Sequence, residues 1–436
     1  MRRHSTLLAS ALACLAACGG DDDDGGGGGS PDAASSQPDA AGSEPDAAPA
    51  GPRTLEISTF IGANRRPIAL VAAQDGDGDW QALDGAGGVY TFEVTTGRFG
   101  VVTGCLEDGG PEVLVSFLYA TTDEGTAITR GCAGPTVGAE PLNITVAGFE
   151  AGGSIELNAA YRPTATATEG DPEVTLQLAP GLYDVVMVSK SSGDVTTRYG
   201  VRPSMYITPN VVVETDFDIA ADGGLTPTYD FTTEGEGAAS VAQAVHYTSA
   251  HGTVVPLGAD TYNSMPESVM PAGDLHVAIA QASGDGSVRD ASVYFRAADD
   301  VSVTFPEPMA TGSAEIGSSE PFLRPSVSLE AYDGAARYRA RLSQGDRRLE
   351  WTATAGWLGS AEDVSWTMPD LTGIDGWNEN WAFVQAVQVD VVYEAVTTTG
   401  NPLDSVAPYP SSGPNQLRAV DGEIRTTAYS GSAFTP

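Results

Sequence analysis

Three features of this 436-residue sequence predict an all-β chain of tandem sandwich modules behind a disordered N-terminal spacer. From Thr54 onward apolar and polar residues alternate: Leu55, Ile57 and Ile61 against Glu56 and Ser58, then Tyr90, Phe92 and Val94 against Thr91 and Glu93. A period of two places every second side chain on one face of a strand. The runs are short and are punctuated by Gly, Pro, Asp and Asn, with 52 glycines and 28 prolines in the chain. That pattern belongs to antiparallel sandwiches or barrels. The third feature is an internal repeat. Gly97-Arg98-Phe99-Gly100-Val101, Gly181-Leu182-Tyr183-Asp184-Val185 and Gly273-Asp274-Leu275-His276-Val277 share the phrase Gly-x-large-x-Val and begin 84 and 92 residues apart.

Each repeat reads as the entry to a strand, with the glycine in a turn and the large residue and valine on one face. Counting from these anchors gives modules at 54–138, 139–222, 223–309 and 310–436, each near the size of one sandwich. Only Ala238 to Tyr247 fits a helical pattern, and Val241, Val245 and Tyr247 fit a strand nearly as well. The phrase resembles the proline-glycine-x-tyrosine strand entry of carboxypeptidase-regulatory-like and other prealbumin-like modules. The fold class is therefore tandem immunoglobulin-like or prealbumin-like β-sandwiches, and the resemblance implies no activity. In the first module Phe99, Val101, Thr103 and Cys105 share a face, which points Cys105 into the core.

The N-terminus explains where such a chain would live. Arg2 and Arg3 precede a brief apolar run from Leu7, followed by Leu15-Ala16-Ala17-Cys18. A basic start, a short apolar run and small residues make an export signal over 1–17, too short for a mature membrane span. The tetrapeptide resembles the bacterial lipoprotein lipobox, which implies that Cys18 becomes the first mature residue and carries lipid. Gly20, where an inner-membrane retention signal would place Asp, implies by the same resemblance the outer membrane or cell surface. Residues 18–53 hold an acidic run, a glycine run and Pro-Asp-Ala-Ala at Pro31, Pro38 and Pro45, a seven-residue period without a large apolar side chain. This is a disordered spacer, spanning about 30 to 35 Å if fully flexible.

Composition then excludes several chemistries. With 58 acidic against 21 basic residues the formal net charge is −37, and signal removal takes two arginines more. Such a field repels nucleic acid, so none is expected as a partner. Lys190 is the only lysine, which excludes a P-loop or a Schiff-base site elsewhere. Of four cysteines, Cys14 leaves with the signal and Cys18 is the anchor. Cys105 and Cys132 remain, and an even pair in an exported protein is most simply a disulfide.

The candidate sites are few. Asp75, Asp77 and Asp79 place oxygens at alternate positions, like the start of a calcium loop. Trp80 and Ala86 stand where that loop needs Gly and Glu, and a glycine-rich turn between strands Ile68–Ala73 and Trp80–Leu83 is the alternative. Trp351, Trp357, Trp366, Trp377 and Trp381 crowd the last module, and Trp377 and Trp381 flank polar groups near Asp375 and Asn378. Exposed, they would stack on a glycan; buried, they would be core. Arg337, Arg339 and Arg341 share a strand face, as an anion site or as partners of acids on neighbouring strands. His246, His251 and His276 show no metal-ligand spacing, and no nucleophile elbow is present. The function expected is a lipid-anchored surface protein that binds a glycan or another envelope protein, or is structural. The alternative is a secreted hydrolase with a carboxylate pair that sequence does not locate. No catalytic residue or cofactor is expected beyond the calcium alternative.

Overall fold

In a computed structural model the described residues are 51–436, apart from 60–67, 107–112, 131–138, 160–163, 209–210, 285–286, 298, 360–362 and 405–418. Pro52 to Pro436 form one compact unit. Among the described residues its strands come in four groups of seven. The first group is β1 (Arg53–Ser58), β2 (Leu70–Asp75), β3 (Gln81–Ala82), β4 (Val89–Val94), β5 (Arg98–Leu106), β6 (Val113–Thr121) and β7 (Ala127–Thr129). The second is β8 (Glu140–Ala147), β9 (Ser154–Asn158), β10 (Thr164–Thr168), β11 (Glu173–Leu178), β12 (Gly181–Lys190), β13 (Thr196–Ile207) and β14 (Val213–Asp218). The third is β15 (Thr228–Glu234), β16 (Ser240–Thr248), β17 (Val254–Gly258), β18 (Thr261–Asn263), β19 (Leu275–Gly284), β20 (Ser287–Phe295) and β21 (Val301–Thr304). The fourth is β22 (Ser313–Ser318), β23 (Arg324–Glu330), β24 (Arg337–Gln344), β25 (Arg347–Thr354), β26 (Asp363–Thr367), β27 (Val389–Thr398) and β28 (Ile424–Phe434). The ambiguous stretch at 238–247 is strand, β16.

The first three groups share one topology. In each, the first strand pairs antiparallel with the fourth and parallel with the seventh, as in β1 with β4 and β7, β8 with β11 and β14, and β15 with β18 and β21. The facing sheet runs third, second, fifth, sixth. The Gly-x-large-x-Val phrase falls on the fifth strand every time, at β5, β12 and β19. Phe99, Tyr183 and Leu275 are buried there with Val101, Val185 and Val277. Gly97 and Gly273 have φ of 78° and 87°, the left-handed turn that only glycine enters without strain. The fourth group is wired differently, as β22-β23-β26 against β25-β24-β27-β28. Its first, second and fifth strands face a sheet that holds the third, sixth and seventh, which is the immunoglobulin-like arrangement.

The modules are not beads on a string. Strand β28 pairs with β20 of the third module, and β25 runs parallel to β6 of the first. One 15-stranded sheet therefore passes through modules three, four and one. Its middle strands are buried on both faces. On β5, Phe99 and Val101 enter the core of the first sandwich, while Val102 enters that of the fourth beside Phe117, Trp351 and Tyr393. The second module keeps its own core, around Leu157, Tyr183 and Phe217.

Candidate functional site

The arginines predicted as a patch lie on one face of β24, and the register sets acids opposite them. Arg339 stands across from Glu394 on β27, and Arg341 from Glu350 on β25. Arg339 bridges Glu350 at 2.6 Å and Glu394 at 3.4 Å, Arg341 binds the other oxygen of Glu394, and Arg337 donates to the Asp404 carbonyl at 3.0 Å. Burial would raise the Glu350 carboxyl, but the Arg339 guanidinium beside it holds it below the ordinary value. The line continues across the sheet. Tyr429 on β28 sits opposite Glu394 and donates to Asp290 on β20 at 2.8 Å, and Gln281 on β19 donates to the other Asp290 oxygen at 2.9 Å. Burial pushes the Asp290 carboxyl up, against the pull of those two donors. The arrangement is a charge-paired seam over six strands, and not a row of free cations awaiting an anion.

The tryptophan cluster is core. Trp381 is 8 % exposed and meets Trp377 edge-on at 5.8 Å, while Trp377 is half-buried against Phe322 at 5.1 Å. Trp351 stacks on Trp366 at 5.9 Å, and the Trp366 indole donates to the Tyr119 hydroxyl at 3.1 Å. Asn378 is exposed, and its side chain accepts from the Asn380 amide at 3.0 Å, capping the turn that carries Trp381. Asp375 is exposed too. Of the two readings, Trp381 takes the core one, while Trp377 is half-buried. The Trp381 ring is needed between two modules, because it lies over Gly104 of β5, where a Cβ would come within 2.4 Å of it.

Asp75 is a turn fastener. Its two oxygens accept the amides and hydroxyls of Thr95 and Thr96, and although partial burial works the other way, these four bonds draw its carboxyl down to about 2. Asp77 faces Arg98 at 3.6 Å. Among the described residues no group of three or more His, Cys, Asp or Glu stands close enough to hold a metal. The stretch from Asp75 to Asp79 joins β2 to β3, as the turn reading has it. Cys105 is buried, whereas Cys132, its expected partner, lies outside the described residues, as does Cys18.

Sequence reasoning missed a polar joint between the second and third modules. Asp184 of β12 is 2 % exposed and accepts from the Ser204 amide at 2.8 Å, the His251 amide at 3.2 Å and the His251 ring Nδ1 at 2.9 Å. Its carbonyl accepts from the Thr253 hydroxyl at 2.6 Å. Beside it the buried Asp274 accepts from the Tyr247 hydroxyl and from the Ala250 amide at 2.8 Å. A lone acid in the apolar run Leu182 to Val188 was the signal available in sequence, since such a group persists only with donors around it.

Buried titrating groups near this joint give stability a pH dependence with a definite sign. Burial lowers His246 and His276 to about 4. Each favours the fold above the unfolded imidazole value and loses that contribution as pH falls through 4, about 3 kcal/mol apiece. Asp274 acts oppositely: burial raises it to about 6, so its share of stability improves as pH falls from 6 toward 4. Two histidines against one aspartate leave net acid destabilisation. Urea midpoints measured from pH 7 to 4 are expected to fall, and His276→Phe is expected to flatten that limb; an unchanged slope in the variant would show that His276 is not among the groups responsible.

A groove of about 520 Å³ lies where the third module hands over to the fourth, floored by Met309 and Tyr332 and edged by Glu307, Glu330 and Asp333. The Tyr332 hydroxyl donates to the Glu307 carbonyl at 2.6 Å, which fixes the ring across it. Among the described residues no helix is long and apolar enough to cross a membrane.

No protein-family model matches the sequence, and no curated protein matches it. Among solved structures, the chain is similar to a streptococcal ancillary pilin at 8% identity and a TM-score of 0.14, over 58% of this chain and 99% of that one. It is also similar to a Ca2+-stabilised adhesin with which an Antarctic bacterium binds ice, at 12% identity and a TM-score of 0.17, over 89% and 94% of the two chains. At such scores neither likeness carries an argument about what this chain does.

Proposed function

We propose that this protein is a lipid-anchored component of the cell envelope or surface, whose body is a stiff presenter of contact surfaces to another envelope protein. One observation carries the reading: modules three, four and one are joined by main-chain strand pairing, β20 to β28 and β25 to β6, where independent domains would have linkers. A continuous sheet resists bending at those two boundaries. Attached to Cys18 through the spacer, such a body stands off a membrane as one piece. The charge-paired seam and the packed tryptophans serve that stiffness. A Cys105–Cys132 bridge would fasten the first module further, by about 3 to 4 kcal/mol in the chain-entropy account.

The test is metabolic labelling with a palmitate analogue in a diderm host, comparing the wild type with Cys18→Ala, followed by protease treatment of intact cells. The wild type is expected to take up label, sediment with membranes and be cleaved from outside. The variant is expected to lose the label and become soluble. Equal labelling of both proteins, or protection of the wild type in intact cells, would refute the anchored surface reading. For the bridge, a non-reduced digest is expected to yield a peptide pair containing Cys105 and Cys132, and two free thiols would exclude it.

A further inference from the structure

The groove of about 520 Å³ between the third and fourth modules is of ligand size, and its walls are fixed before anything enters it. The connecting segment 305–310 forms one wall and is pinned along its length. The Phe305 amide donates to the Glu234 carbonyl at 2.8 Å, Arg289 donates to the Pro306 carbonyl at 3.0 Å, Tyr332 to that of Glu307 at 2.6 Å, and Ser430 to that of Ala310 at 3.1 Å. On the other wall the Tyr338 hydroxyl accepts from the Tyr332 amide at 2.7 Å and donates to the Tyr332 carbonyl at 3.2 Å, which clasps the residue that crosses the groove. Pairing of β20 with β28 holds together the two modules that supply the walls. A site preformed in this way loses little entropy on binding.

The groove presents negative charge beside apolar surface. Glu307, Glu330 and Asp333 line it and are exposed, and among the described residues none of the three carboxylates has a cation or a donor as partner. Burial raises the Tyr332 phenol, and the charges of Glu307 and Asp333 raise it further against the pull of Arg289. That guanidinium is buried and already engaged with the carbonyls of Gly235, Glu236 and Pro306, so it leaves the rim acidic. Between the acids lie the Tyr332 ring and Met309, a π face for a cationic head and apolar surface for its stem. Among the described residues no three acids stand close enough to hold one metal ion, whereas cations spaced along a chain can meet them singly. A second copy of this chain, at a formal net charge of −37, is repelled by the same field, as are nucleic acid and anionic lipid. We propose that the groove takes an extended segment of a partner protein that carries arginine or lysine at intervals. The proposal rests on the reading of the body as a presenter of contact surfaces, and names one such surface and the chemistry of its partner.

The probe is a fluorescein-labelled peptide of Gly-Arg repeats, titrated with the purified full chain and read by anisotropy at about 0.15 M salt. The wild type is expected to bind it, and Glu307→Gln, Glu330→Gln and Asp333→Asn together are expected to weaken binding roughly tenfold or more. A control triple, Glu169→Gln, Asp171→Asn and Glu173→Gln, removes as much charge from exposed positions at the turn between β10 and β11 and is expected to leave binding nearly unchanged. Equal losses in the two triples would assign binding to the general field of the chain and overturn the groove. Carbodiimide coupling to a peptide of Gly-Lys repeats needs no variant. Because Lys190 is the only lysine of the chain, amide cross-links report the peptide, and they are expected at Glu307, Glu330 or Asp333. Cross-links scattered over the acidic surface would overturn the site, and tighter binding of spermine than of the arginine peptide would make it a polyamine site instead. Uptake of label at Cys18 without any peptide binding would leave the anchored reading intact and remove this one.

Discussion

Glu394→Ala is expected to be among the most destabilising single changes in the chain, at about 3 to 5 kcal/mol. The carboxylate is 2 % exposed and answers two guanidiniums, Arg339 and Arg341, from the middle of the 15-stranded sheet. Removing one partner of a buried pair leaves the other charged groups without compensation in a medium of low polarity. The size of the effect thus comes from the stranded arginines more than from the pair itself. A second expectation separates the two: Arg339→Leu, Arg341→Leu, Glu350→Leu and Glu394→Leu together should recover most of the loss, since replacing both acids with both arginines removes the desolvation cost along with the attraction. Guanidinium midpoints of the single and quadruple variants check both statements. A quadruple variant as weak as Glu394→Ala would mean that the seam is worth its net Coulombic energy after all.

Trp381→Ala should cost a similar amount, about 3 to 5 kcal/mol, by leaving a cavity at the contact between the first and fourth modules. The complementary change approaches the same contact from the other side. Gly104→Val inserts atoms where a single Cβ already meets the Trp381 ring at 2.4 Å and Leu70 at 3.1 Å, an overpacking of about 1 to 3 kcal/mol or more. Because both act at one contact, the double variant should be less damaged than the sum of the two, a coupling that a double-mutant cycle reads directly. Strict additivity would show that Trp381 contributes through its own module alone. It also follows that loss of glycan binding in a Trp381 variant would report unfolding unless stability is measured alongside.

The fold was largely written in local pattern, and the assembly was not. Alternation at period two and the Gly-x-large-x-Val phrase located the fifth strand of three modules, because both depend on residues close in sequence. Pairing of β25 with β6 joins residues more than 200 apart, which no period reports. A hint was nevertheless present. The stretch Val113 to Thr121 is nearly continuous in apolar residues, as expected of a strand covered on both faces. The tryptophans stayed ambiguous for a related reason: composition marks an aromatic cluster, and only tertiary placement tells a core from a platform. The arginines were ambiguous until register put Glu350 and Glu394 across from them. Asp184 stayed hidden because its donors, Ser204 and His251, come from different strands and modules.

The parallel contact between β6 and β25 has a consequence for biogenesis. A polypeptide is made N-terminus first, so β6 emerges with its binding edge open long before residues 347–353 arrive to close it. During that interval an apolar strand with unpaired amides is exposed to any passing extended chain. Premature termination anywhere ahead of the fourth module would make the exposure permanent. Truncated products are therefore expected to be substrates for chaperones and proteases, and the quality of the first module is decided by the arrival of the fourth.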